Sequence, residues 1–160
     1  MTPKAARSLE WMAAILATLV LVGCGDTAGR AKMEVRELGL SMDLPPGWKV
    51  DASNPRMFAK GDRTGLVLDE PLGDRTFEQC METLSKVGSP MIRSRTPLTI
   101  SGCQAVELVS EYPAQGSKAI KVYIHKNDHI VEISIVTSNE EFSQYESALR
   151  EAIQSIRFKS

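Results

Sequence analysis

The stretch 118–137 restricts the fold of this chain more than any other. Ile120, Val122 and Ile124 recur at every second position, Lys126-Asn127-Asp128 interrupts them, and Val131, Ile133 and Ile135 resume the same period. A period of two is the strand signature, and Asn-Asp is turn chemistry, so the stretch reads as one long β-hairpin. Ile130 and Val136 add apolar character to the other face of the second arm. A strand apolar on both faces is a central strand covered on both sides. The chain must therefore build a sheet and also supply the elements that cover it.

Two helices are visible for that purpose. Thr76 followed three residues later by Gln79 is a capping-box pattern. Phe77, Cys80, Met81, Leu84 and Val87 follow at helical spacing, and Gly88 is a C-terminal stop. Near the C-terminus, Ser138 with Glu141 repeats the capping-box pattern. Phe142, Tyr145, Leu149, Ile153 and Ile156 then form one apolar stripe.

The remaining segments read as strands. Leu38, Leu40, Met42 and Leu44 alternate with polar or small residues before the turn Pro45-Pro46-Gly47, and Trp48 and Val50 follow at strand spacing. Met57-Phe58-Ala59 and Leu66-Val67-Leu68 flank a Gly61-Asp62 turn. Residues 91–101 look extended, Ser101-Gly102 is a turn, and Cys103 to Glu111 is the return strand. The order strands, helix, strands, helix, with hairpin-length links, predicts an α+β fold: an antiparallel β-sheet flanked by helices. No internal repeat is present.

The N-terminus has a different character. Lys4 and Arg7 precede an apolar run from Trp11 to Val22 that contains no charge. The run is shorter than the roughly 17–25 residues of a spanning helix and falls within the about 7–15 of a signal-peptide core. It ends in Leu21-Val22-Gly23-Cys24, which resembles the lipobox of bacterial lipoproteins. That resemblance implies cleavage before Cys24 and diacylglycerol attached to its sulfur. Gly25 to Lys32 is small and polar and reads as a tether. The expected organisation is thus a lipoprotein signal peptide over 1–23, a lipidated Cys and tether over 24–32, and one globular α+β domain over 33–160. Gly rather than Asp follows the cysteine. By resemblance to enterobacterial sorting, that favours an outer membrane where the cell has one. The domain would face outside the cytoplasm, on the cell membrane or the outer membrane.

The domain itself resembles a known fold. Leu44-Pro45-Pro46-Gly47-Trp48, the Ile100–Val106 hairpin with its glycine turn, the 118–137 hairpin and a closing helix ending Ser155-Ile156-Arg157-Phe158 are together similar to the PsbP-like α/β/α sandwich shared with DcrB-like bacterial lipoproteins. The resemblance covers most of 33–160 through structural motifs. It implies a binding or assembly role rather than catalysis, and it carries no functional residues across.

Sites of chemistry are sparse. His125 and His129 bracket the hairpin turn with Glu132 beyond, and are weak candidates for a metal. An exposed polar turn that two His flank by chance is the favoured reading, since no third convergent ligand is evident. Asp69, Glu70 and Asp74 form an acidic cluster without EF-hand spacing. Cys80 and Cys103 form a candidate disulfide pair in an oxidising compartment. A bridge would add roughly 3 kcal/mol, and two buried thiols are the alternative. Trp48, Phe77 and Phe142 read as core, while Tyr112 and Tyr123 lie near the 112–118 loop and read as a surface. A P-loop, G-x-S-x-G, H-E-x-x-H and paired CxxC are absent from the sequence. The 19 basic and 20 acidic residues are interspersed, unlike the basic field of a nucleic-acid binder. No cofactor is indicated.

These readings make the chain a membrane-anchored envelope lipoprotein whose domain binds or assembles another envelope protein without turnover. A small-ligand or lipid carrier with a pocket between sheet and helix, and a small hydrolase or metal-dependent enzyme, are the alternatives.

Overall fold

The computed structural model describes residues 30–159. The lipobox with Cys24, the signal segment and most of the tether lie outside the described residues. Ten strands, all paired antiparallel, form two sheets. The smaller sheet contains β1 (Lys32–Val35), β2 (Leu40–Asp43) and β10 (Arg157–Phe158), in the order β1-β2-β10. The larger contains β3 (Lys49–Val50), β4 (Met57–Lys60), β5 (Arg63–Pro71), β6 (Met91–Ile100), β7 (Cys103–Tyr112), β8 (Ser117–Lys126) and β9 (His129–Ser138). Its order is β3-β4-β5-β9-β8-β7-β6. Helix α1 (Phe77–Ser85) links β5 to β6 across the sheet, and α2 (Asn139–Gln154) follows β9.

The predicted hairpin is β8–β9, in register from Ser117↔Ser138 to Lys126↔His129. β9 lies between β5 and β8 and is central, as its two apolar faces require. Its positions 131, 133 and 135 meet Val67, Ala105, Val109, Ile120, Val122 and Ile124 in one core, with α2 and the small sheet above them. Ile130 faces the opposite side, in a second core with Phe77, Cys80, Met81, Val106, Leu108 and Tyr123 beneath α1. The molecule is therefore a three-layer α/β/α sandwich. α2 buries Phe142, Leu149 and Ile153, Tyr145 packs against the same core, and Ile156 follows just beyond the helix. Trp48 and Phe58 are fully buried, with ring centroids 5.7 Å apart. Phe58 pairs across the strands with Gly65, whose missing Cβ leaves the space its ring occupies.

Four local expectations need correction. The Thr76–Gln79 capping box forms in both directions, but the Ser138–Glu141 box does not. Arg63 forks onto the Glu141 carboxylate, and the Ser138 hydroxyl donates to that carboxylate instead of accepting from backbone. Val87 is 62% exposed, because α1 ends at Ser85 and Val87 falls in the following turn. The alternation from Leu38 to Leu44 is not one strand. Residues 36–38 form a 3-10 turn closed by Gly39 at positive φ, and β1 pairs back on β2. Arg157 and Phe158 do not extend α2; they form the short strand β10 against β2. The Ala31 carbonyl already accepts from the Leu44 amide, so the folded body reaches back to that residue.

Candidate functional site

The strands sort the sequence-predicted residues onto different faces. His125 pairs with Ile130 and lies on the α1 side, where its ring stacks on Phe77 at 5.3 Å. His129 has the opposite parity, and its Nδ1 lies 2.9 Å from Asp69 Oδ1. Because the two imidazoles belong to opposite faces, they do not converge. Glu132 shares the α1 face with His125 but is drawn to Lys121. The acidic cluster separates in the same way: Asp69 meets His129, while Glu70 pairs with Arg75 at 2.6 Å. Among the described residues, no group of three or more His, Cys, Asp or Glu side chains is placed to hold a metal ion.

Both cysteines are free thiols. Cys80 is buried beneath α1, whereas Cys103 packs against the core on the α2 side. The sheet stands between them, which removes the disulfide alternative. Tyr123 is another correction. Its strand position points under α1, so it is fully buried and lines no surface.

Buried charge lies where the sequence reading did not look. Lys121 and Glu132 keep only 8% and 6% side-chain exposure on the α1 side of the two central strands, with Nζ 3.6 Å from Oε1. The aromatic ring of Tyr112 lies 5.7 Å from the Lys121 ammonium. Burial raises the Glu132 carboxyl above its usual range; Lys121 opposes that shift and Glu70 adds to it. Burial, helped by Glu132, pushes the phenol of Tyr123 strongly upward. The Tyr123 hydroxyl and the Ser110 hydroxyl, both on this face, have no protein hydrogen-bond partner. The cluster is a buried polar strip beneath a short helix. The phenol is held protonated, and neither hydroxyl makes a hydrogen bond that would activate it as a nucleophile.

On the opposite face, Glu107 is 4% exposed and held by Arg150, which also reaches Glu146. Beside this network an open hollow of about 500 Å³ lies along α2, lined by Arg30, Ser147, Arg150, Glu151, Gln154 and Ser155. Its charges are already engaged, since Arg30 bridges to Glu151 at 2.6 Å.

This architecture defines the class: a PsbP-like α+β sandwich. No protein-family model and no curated protein matches the chain by sequence. Solved structures do match its fold. Cyanobacterial PsbP from Synechocystis sp. is similar with a TM-score of 0.58 and 12% identity, over 87% of this chain and 99% of that one. LpqN, involved in cell envelope biogenesis of Mycobacterium tuberculosis, gives 0.61 and 10%, over 76% and 83%. A Pseudomonas aeruginosa protein of unknown function, PA94, gives 0.55 and 16%, over 81% and 97%. At such identities the likeness concerns the fold. No described helix is long and apolar enough to cross a membrane.

Proposed function

We propose that the chain is a lipid-anchored envelope protein whose sandwich domain binds another envelope protein without turnover. The observation that carries this is the short link between lipobox and folded body. The body already closes on Ala31, seven positions after Cys24. Seven extended residues reach at most about 25 Å, so a lipid on Cys24 would hold the sandwich against the membrane surface. LpqN, which shares the fold, is involved in cell envelope biogenesis, and that supports an envelope role. Two or three acyl chains would retain the domain far more firmly than one.

Fractionation and acyl labelling test the anchor. Cys24→Ala should lose label and release the protein from the membrane fraction. Label retained in that variant would end the lipoprotein reading. Binding is tested by chemical crosslinking of the intact protein in native envelopes, followed by identification of the captured neighbour. A purified protein that instead turns over a small substrate would refute the non-catalytic half of the proposal.

A further inference from the structure

Four large apolar side chains are substantially exposed among the described residues: Leu68, Val87, Met91 and Ile92. Three of them lie within six positions, on either side of the turn from α1 into β6. They are 62%, 46% and 46% exposed in chain order. Scattered apolar residues are ordinary on a surface, whereas a contiguous group marks a contact site. The turn that presents them has a backbone conformation that favours glycine. Gly88 and Ser89 both hold positive φ, and a Cβ on Gly88 would stand 3.1 Å from the Tyr112 ring. Met91 pairs with Glu111 and Ile92 with Ser110, so the two side chains point to opposite faces of an edge strand. The apolar surface therefore wraps a corner.

The position of that corner matters for an anchored protein. β6 starts beside Glu111 and Tyr112, and Tyr112 pairs with Ser117, which pairs with Ser138 at the start of α2. The chain enters the fold at the other end of α2, where Arg30 bridges to Glu151 and the Asp43 amide donates to Ser155. The 16 residues of α2 separate the two ends, about 24 Å at a rise of about 1.5 Å each. An anchor at Cys24 would thus attach at the end of the fold remote from the apolar corner.

Charge and backbone narrow the occupant. β6 carries Arg93 and Arg95 and no acid. Glu111 lies between Arg93 and Lys118, and Lys86 pairs with Glu82. Arg95 forms no ion pair within 4 Å among the described residues, but it faces Glu82, whose carboxyl Lys86 and, to a smaller extent, Arg95 hold below its usual value. The rim is thus cationic in excess. A second copy of β6 would set arginines against arginines. Pro97 and the bulge between Ile92 and Ser94 also interrupt the free edge against strand addition. We infer that the corner of Val87, Met91 and Ile92, with Arg95 at its rim, is the docking surface for a partner protein that offers an apolar pocket bordered by carboxylates. Contact is through side chains. This deepens the binding function proposed above and rests on it.

The test places a benzophenone crosslinker at Val87, Ile92 or Leu68 in the full chain within native envelopes. The first two sites are exposed enough to accept it, and Leu68 is an exposed apolar control at the β5 side. One identified protein should be captured at 87 and 92 and not at 68, through a peptide containing Asp or Glu. With both proteins purified, Arg95→Glu should weaken binding about tenfold, and raising salt from about 50 to about 500 mM should weaken it similarly. Reversing the partner's carboxylate to Lys should restore binding to Arg95→Glu. Capture of a second copy, of residues 1–29 of the chain itself or of lipid would overturn the inference. So would Arg95→Glu binding unchanged. A partner found by lysine crosslinking but absent at 87 and 92 overturns the corner alone. No partner by either route overturns the binding function as well.

Discussion

Replacing Lys121 with Met should destabilise the protein in a way that depends on pH. The ammonium and the Glu132 carboxylate are 3.6 Å apart and almost wholly buried. At an effective dielectric of about 20, their attraction is on the order of 4–5 kcal/mol. Losing it strands a buried carboxylate, but Glu132 has an escape: it can take a proton. From the reference value of 4.5, holding the proton at pH 7 costs about 3 kcal/mol, at about 1.4 kcal/mol per pH unit. Protonation is the cheaper outcome, so about 3 kcal/mol is the ceiling at pH 7. The parent's own raised carboxyl makes the measured loss smaller. The sign follows from linkage. Glu132 binds its proton more tightly folded than unfolded, so the stability it contributes is fully present below its unfolded value and lost as pH rises. The loss in the variant should therefore fall below about 1 kcal/mol at pH 5 and vanish only well below the reference value of 4.5. Urea unfolding at pH 7 and pH 5 reads this directly. An equal loss at both values would refute the reasoning, as would a loss above about 5 kcal/mol at pH 7. Replacing both partners, Lys121→Met with Glu132→Leu, should be neutral or stabilising by about 1–4 kcal/mol.

Other perturbations test the packing. Gly65→Ala would set a Cβ 2.1 Å from the Phe58 ring, which is itself fully buried, and should cost about 1–3 kcal/mol or more in urea melts. Leu149→Ala, at a fully buried position of α2, should cost about 2–5 kcal/mol; a loss under 1 would contradict its core placement. Thr76→Ala should cost about 1 kcal/mol by removing a working cap, and Ser138→Ala less, since Ser138 caps no backbone amide. Equal costs would disprove the asymmetry. A thiol reagent should modify Cys103 in the native protein and Cys80 only on unfolding, with both reacting in denaturant without prior reduction.

The large sheet was readable because its strands carry their own period. Ile120 to Ile135 alternate around a turn that admits one register, and the stripe from Phe142 to Ile153 fits a helix alone. The small sheet was not readable for the opposite reason. β10 has two residues, and β1 shows its alternation, Met33 and Val35, only over four. Such strands exist because β2 is already fixed beside α2 and offers them an edge. Val87 failed for a related reason: apolar spacing continues past Ser85, but the chain stops being helical there, and periodicity does not record the stop. Ser138–Glu141 failed because a distant arginine competes for the carboxylate, and Arg63 is 78 positions away.

The buried polar strip was more accessible than it proved. Once the hairpin turns at Asn127-Asp128, Lys126 pairs with His129, and every partner follows: Tyr123 with Glu132, Lys121 with Ser134. Lys121 and Glu132 are then diagonal neighbours on one face, and His125 and His129 fall on opposite faces. A strand apolar on both sides must bury whatever charge interrupts it, so the Lys121–Glu132 pair follows from two readings the sequence already supported. What register cannot supply is cover. Whether a residue on the α1 face is buried depends on how far a nine-residue helix reaches. Tyr123 lies within that reach and Ile92 beyond it, although both occupy the same face of the sheet, on β8 and β6 with β7 between them. The exposed corner is therefore a product of where α1 ends, and only the folded chain reveals it.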